Sequence, residues 1–218
     1  MSETTTGTAQ HKDAPQNCER EPRVLLQLPR DTRRRLFEAP EWYSQTSHSG
    51  KSPATLFGVT PTTLVRSSAG PQDTADLAAA IAPELRAGDV VLLVGELGTG
   101  KSTFVRAAAS TLGVTEYVTS PTFSVAQRYE SGTLPIAHLD AYRLVDPDDE
   151  DFELTLDMIG EDAVAFVEWP DALADRLPEA RLTIALEHRG GDARLVAFTT
   201  SDPRLLEPLR QLVDDPRA

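Results

Sequence analysis

Hydrophobic positions fall into regular patterns only from about residue 62. Thr62 to Arg66 alternates enough to be an edge strand. Asp73 or Thr74 can cap a helix running through Leu77, Ile81 and Leu85, and Pro83 should bend or end it. Gly88-Asp89 is a turn. DVVLLV, ending at Val94, is a continuous apolar strand of the kind buried on both faces of a parallel sheet. Residues 95–100 are a glycine-rich turn, and Ser102 to Leu112 is a helix. Thr122 to Tyr129 and Leu134 to Leu139 read as strands of a hairpin joined at Ser131-Gly132. The acidic amphipathic helix Asp148 to Asp157 precedes another apolar strand, Ala163 to Val167. Arg181 to His188 and Ala193 to Thr200 flank Gly190-Gly191 as a second hairpin. Asp202 and Pro203 open a last helix with Leu205, Leu206, Leu209 and Leu212 on one face. These elements predict an α/β domain over residues 61–218 with a mixed parallel and antiparallel sheet and enough chain for a full core.

Residues 1–60 lack such a pattern. Val24 to Leu28 is bracketed by Pro22 and Pro29, and Ser44 to Thr55 is rich in Ser, Thr, Pro and Gly. Too little apolar area is available there to offset chain entropy, which predicts a disordered or weakly ordered N-terminal extension. Arg33-Arg34-Arg35 reads as a solvated charge run, with a contact to nucleic acid or an acidic partner as the other reading.

The composition, 40% hydrophobic and 25% charged, is that of a soluble globular protein. No apolar run approaches the roughly 20 residues that a membrane helix needs. The first twenty residues contain no apolar block, so no secretory signal is read there. Cys18 stands alone, which excludes an internal disulfide or a cysteine-based metal cluster, and the four histidines lack zinc-site spacing. A reducing, cytoplasmic setting follows. The net charge of −13 is uneven: residues 1–66 hold 9 Lys+Arg against 7 Asp+Glu, and residues 67–218 hold 12 against 27. A domain this acidic repels a phosphate backbone, so a broad grip on nucleic acid is disfavoured. The acidity reads either as a solubilising surface or as a face for a basic protein partner.

Gly95-Glu-Leu-Gly-Thr-Gly-Lys-Ser102 fits G-x-x-x-x-G-K-[ST] at every fixed position. Gly95, Gly98 and Gly100 permit backbone conformations closed to residues with a Cβ, so successive amides, Thr99 among them, can converge on a phosphate. The following helix points its positive dipole end at the same anion. Lys101 supplies a mobile charge near the β/γ oxygens of a nucleotide, and the Ser102 hydroxyl can ligate Mg²⁺. The motif sits where a buried strand hands over to a helix, the context that separates a real nucleotide site from a chance glycine turn.

Mg²⁺ needs further oxygen ligands, and in an open α/β sheet a carboxylate should lie beyond the C-terminal end of a strand. Glu168 follows AVAFV and Asp140 follows PIAHL. Spacing alone does not say which binds metal and which handles the attacking water. His138 shares a strand face with Asp140 and either orients it or is a structural histidine. Arg143 either neutralises transition-state charge or pairs with the acids at 148–151. Trp169 either borders a nucleotide or belongs to the core. Thr122, in Ser120-Pro121-Thr122, either senses a γ-phosphate or caps a turn.

Four motifs occur in order: GELGTGKST, SPTF at 120–123, HLDAYR at 138–143 and VEWP at 167–170. Over residues 62–200 the chain resembles the bacterial ATPase of tRNA threonylcarbamoyladenosine biosynthesis, the TsaE (formerly YjeE) family. The resemblance implies a three-layer P-loop NTPase fold. It implies ATP hydrolysis, with Mg²⁺, in support of t6A formation in tRNA. Carbamoyl transfer itself would belong to partner proteins, the TsaB–TsaD pair, with tRNA engaged only indirectly and no membrane involved. Carried over by position, residues Gly98 to Thr103 hold the ATP phosphates, and Ser102 and Glu168 ligate Mg²⁺. Asp140 becomes the catalytic carboxylate, and Thr122 and Phe123 belong to a nucleotide-responsive loop. Residues from Pro71 to Thr74 lie near the adenine. Thr155 stands where the family often has glycine, and Ser102 where threonine is commoner, though its hydroxyl does the same job.

Two rival functions remain open on sequence. A small-molecule kinase would usually add arginines that close over the transferred phosphoryl group, and residues 67–147 hold only Arg86, Arg106, Arg128 and Arg143. A non-hydrolysing nucleotide switch would bind a protein partner without turnover.

Overall fold

A computed structural model describes residues 61–121, 125–143, 149–173 and 176–214. The expected N-terminal extension, residues 1–60, lies outside the described residues, as do Thr122 and Phe123 of the expected nucleotide-responsive loop and the side chain of Arg143.

The strands are β1 (Thr62–Ser68), β2 (Val90–Val94), β3 (Ala126–Tyr129), β4 (Ile136–Asp140), β5 (Val164–Glu168), β6 (Leu182–His188) and β7 (Arg194–Thr200). The helices are α1 (Pro71–Ile81), α2 (Lys101–Thr111), α3 (Asp149–Ile159) and α4 (Pro203–Asp214). One sheet runs in the order β1-β7-β6-β2-β5-β4-β3. Its four central strands, β6, β2, β5 and β4, are parallel, and β1, β7 and β3 pair antiparallel at the two sides. Both glycine-marked hairpins form, β3–β4 and β6–β7. None of the helices among the described residues is long and apolar enough to cross a membrane.

Burial explains the apolar run of β2. Val91 and Leu93 pack into one core with Leu77 of α1, Phe104 of α2 and Leu205 of α4. Val90 and Leu92 face the opposite core with Ile159 of α3 and Leu173. A strand covered on both faces has no polar side, hence the continuous run. In the first core the fully buried rings of Phe104 and Phe198 lie 6.5 Å apart at 54°, a tilted arrangement favoured by the ring quadrupoles.

Boundaries differ from expectation where local hydrogen bonds decide them. Helix α1 starts at Pro71 with Gly70 as its cap residue, earlier than an Asp73 or Thr74 cap would give. Proline suits the first helical position because its missing N–H has no partner there in any case. Asp73 then acts from inside the helix, accepting from the Ala69 N–H at 2.8 Å, and the Thr74 hydroxyl meets Ser68 Oγ at 2.9 Å. The helix ends before Pro83 in a short 3₁₀ turn, Ala82–Glu84. Helix α3 continues through Thr155, which is buried, to Ile159.

Candidate functional site

Strand alternation places the polar ends of β4 and β5 on the α2 side of the sheet. Ile136, Val164 and Phe166 belong to the core beneath α2, so His138, Asp140 and Glu168, at two-residue steps from them, share that face. Asp140 and Glu168 are register partners on neighbouring parallel strands. Both are buried, which is uncommon for carboxylates unless they are paired.

The glycine-rich loop crosses directly above, between β2 and α2. Gly100 caps α2 with φ 107°, a left-handed conformation that turns the chain into the helix. Gly95 is fixed by space as well as by its φ of 146°: an added Cβ would stand 2.4 Å from Leu186 O, a backbone atom that cannot yield. Gly95→Ala is therefore expected to destabilise the fold by about 3 kcal/mol, read from urea denaturation. Unchanged stability would show that the loop does not pass this close to β6.

Lys101 and Ser102 open α2 and converge on the carboxylates. The Ser102 hydroxyl donates to Glu168 Oε1 at 2.8 Å. Fully buried His138 places Nε2 2.9 Å from the same oxygen, while its Nδ1 has no partner. An ionised carboxylate can only accept, so Nε2 carries a proton and donates to Glu168. This corrects the expectation that His138 orients Asp140: its hydrogen bond goes to Glu168, and the other expectation, a buried structural histidine, stands. Asp140 Oδ1 accepts the Tyr142 N–H at 3.3 Å.

The Lys101 ammonium donates to Gly95 O at 2.8 Å and to Glu96 O at 3.1 Å. It also lies 3.9 Å from the centre of the Trp169 ring. Trp169 reaches it through a left-handed backbone, φ 54°, unusual outside glycine and costing about 1–2 kcal/mol. Its ring meets that of exposed Tyr142 at 5.3 Å. Trp169 is thus half-buried against Lys101 and Tyr142 and is not part of the core. Burial lowers the Lys101 pKa, while the charges of Glu168 and Asp140 pull it back up. Between the lowered folded value and the ordinary 10.5, the unfolded chain holds a proton that the folded chain lacks, so this group makes stability rise with pH in that window. Urea titrations should show that rise in the parent and a flatter profile in Lys101→Met.

The remaining sequence candidates lie around this centre. Thr99 is buried and its hydroxyl donates to Glu96 O at 2.9 Å. Thr103, on the first turn of α2, accepts from Arg106 Nη2 at 3.2 Å. Thr74 is buried, and its methyl lies 3.8 Å from where a Cβ on Gly100 would stand, so the start of α1 abuts the loop. Gly98 lies toward the loop tip beside Leu97, which is 86% exposed. Sequence reasoning missed Arg194 and His188 of the β6–β7 hairpin, which hydrogen-bond loop carbonyls.

A hydroxyl, two carboxylates and a loop of glycine-relieved amides form a hard-oxygen set beside an anion cradle. That set fits Mg²⁺ held by one carboxylate, one hydroxyl and phosphate oxygens. Among the described residues no cluster of three or more His, Cys, Asp or Glu would hold a metal without such help.

Comparisons with known proteins show which family the chain is similar to. Residues 68–196 match the family model described as "Threonylcarbamoyl adenosine biosynthesis protein TsaE". The chain is similar to the tRNA threonylcarbamoyladenosine biosynthesis protein TsaE of Bacillus subtilis, 40% identical over 129 residues, 59% of this chain and 80% of that one. It is similar to the Streptomyces coelicolor protein of the same description, 43% identical over 119 residues, 54% of this chain and 80% of the other. Among solved structures, Bacillus subtilis YdiB superposes with a TM-score of 0.58 and 31% identity, covering 70% of this chain and 95% of that one.

Proposed function

The chain belongs to the TsaE family, and from that membership and the site geometry we propose that it is the ATPase subunit of the bacterial t6A machinery. Residues 61–218 form its ATPase domain. It binds and hydrolyses ATP with Mg²⁺ in the cytoplasm and supports turnover of the threonylcarbamoyl transferase complex, the TsaB–TsaD pair. Its tRNA contact is indirect, in keeping with the excess of acids after residue 66. The observation that carries this reading is the convergence of Lys101, Ser102, Glu168 and the neighbouring Asp140 at the start of α2.

The residues divide the work. Loop amides from Gly98 to Thr103 and the α2 N-terminus bind phosphate oxygens, and Lys101 adds its charge on the β/γ side. Ser102 and Glu168 hold Mg²⁺, which when bound neutralises phosphate charge. His138 keeps Glu168 oriented through Nε2–H. Asp140 orients the water that attacks the γ-phosphorus and accepts its proton as the bond to ADP breaks. Trp169, whose ring lies against the Lys101 ammonium, borders the nucleotide with Thr74 and Thr122.

The experiment is ATP hydrolysis and ATP binding measured with and without the partner pair. Phosphate release stimulated by the pair is expected. Tight ATP binding with no release in either state would favour the non-hydrolysing switch, and phosphorylation of a metabolite would favour the kinase. Calorimetry showing no heat for ATP or ADP, alone or with partners, would overturn nucleotide binding itself.

A further inference from the structure

Three successive carbonyls of the glycine-rich loop are engaged from outside by a single hairpin. Arg194 Nε donates to Thr99 O at 3.2 Å and Nη2 to Gly98 O at 3.3 Å. His188 Nε2 lies 3.5 Å from Leu97 O, at the limit of a hydrogen bond. His188 and Arg194 are register partners at the end of β6–β7. Arg194 Nη1 meanwhile donates to Gly191 O at 3.0 Å and Ala193 O at 2.9 Å, anchoring the guanidinium at its own turn. The rigid planar fork thus ties two backbones together.

A trans peptide directs its C=O and the next N–H to opposite sides. Drawing the Leu97, Gly98 and Thr99 carbonyls onto the hairpin turns the N–H groups of Gly98, Thr99 and Gly100 away from it. The Thr99 N–H also makes a long 3.3 Å contact with Glu96 O, within the loop's own turn. Glycines at 98 and 100 leave this loop many other conformations, so something outside it must select one.

We propose that Arg194 is a positioning residue for phosphate binding: by holding the Gly98 and Thr99 carbonyls it keeps the glycine-rich loop in one conformation, with the Gly100 N–H turned from the hairpin toward the anion and the Thr99 N–H held in the loop's own turn, so that the loop is ordered before nucleotide arrives. The inference rests on the nucleotide reading given above. It assigns part of the affinity to the β6–β7 hairpin, outside the motif itself. Ordering the loop in advance removes that entropic cost from binding.

The test uses the full chain, with ADP and ATP titrated calorimetrically without metal, and hydrogen exchange followed over residues 95–101. Arg194→Gln is expected to weaken both nucleotides about tenfold, the usual scale for one charge-assisted contact. Exchange over the loop should rise while α2 and β2 stay protected. Arg194→Lys keeps the charge but cannot span two carbonyls, so it too should bind more weakly than the parent. Equal affinity in parent and both variants would overturn the proposal. So would full rescue by lysine, which would reduce the residue to a point charge. A general rise in exchange across the domain would also overturn it, as a plain stability effect. Failure of the parent itself to bind would instead sink the nucleotide reading.

Discussion

Lys101→Ala is expected to abolish measurable binding of ATP and ADP. The side chain is nearly enclosed, with its ammonium on two loop carbonyls and against the Trp169 ring. Holding a charge in such a place is costly, and burial accordingly lowers the lysine's pKa. The nearby charges of Glu168 and Asp140 offset part of that cost. A phosphate chain brings several more negative oxygens into the same pocket, where low solvent access strengthens each interaction. Charge-assisted hydrogen bonds of this kind contribute about 1.5–3 kcal/mol each, so losing two of them weakens binding by about 10²–10⁴-fold. Calorimetry on folded Lys101→Ala checks this, with circular dichroism confirming that the domain is retained. Binding within a few-fold of the parent would remove the lysine from the phosphate site.

The glycine-rich motif was legible because it encodes local demands. The glycines answer to tight turns, and Lys101 and Ser102 to the first turn of a helix. Val90 to Val94 reads as a doubly covered strand because no polar residue interrupts it. The partner of His138 was not legible. Alternation put His138 and Asp140 on one face, but the β4–β5 register that brings Glu168 within 2.9 Å of His138 is set by pairing between segments about thirty residues apart. Arg194 was hidden for a similar reason. It sits beyond a Gly-Gly turn like any hairpin arginine, and only the placement of β6 beside β2 brings it to a loop nearly a hundred residues earlier. The start of α1 was misplaced because Asp73 and Thr74 look like cap residues, whereas the Gly70-Pro71 pair carried the better signal. The resemblance to the TsaE family supplied what composition and spacing could not, an expected division of roles between Glu168 and Asp140.

Glu168→Gln and Asp140→Asn should each leave the fold intact and remove ATP turnover, but with different signatures. Truncating Glu168 to alanine would strand the His138 Nε2–H and the Ser102 hydroxyl, at a cost of about 1–3 kcal/mol in a buried site. Glutamine keeps an oxygen for both donors and loses only the charge, so its effect reports chemistry rather than packing. Asparagine at 140 likewise keeps an acceptor for the Tyr142 N–H. If Glu168 holds the metal, Glu168→Gln weakens the Mg²⁺-dependent part of ATP affinity and leaves metal-free ADP binding near the parent value. If Asp140 orients water and takes its proton, Asp140→Asn leaves both affinities alone and lowers kcat by about 10²–10⁴-fold, the range for loss of a general base. Single-turnover hydrolysis with the partner pair, read beside calorimetry with and without Mg²⁺, separates the two. An exchange of signatures between the variants would reverse the assignment. Parent-like hydrolysis by both would place the chemistry elsewhere, because Asp140 and Glu168 are the two acids that the β4–β5 register sets side by side and whose charges both reach Lys101.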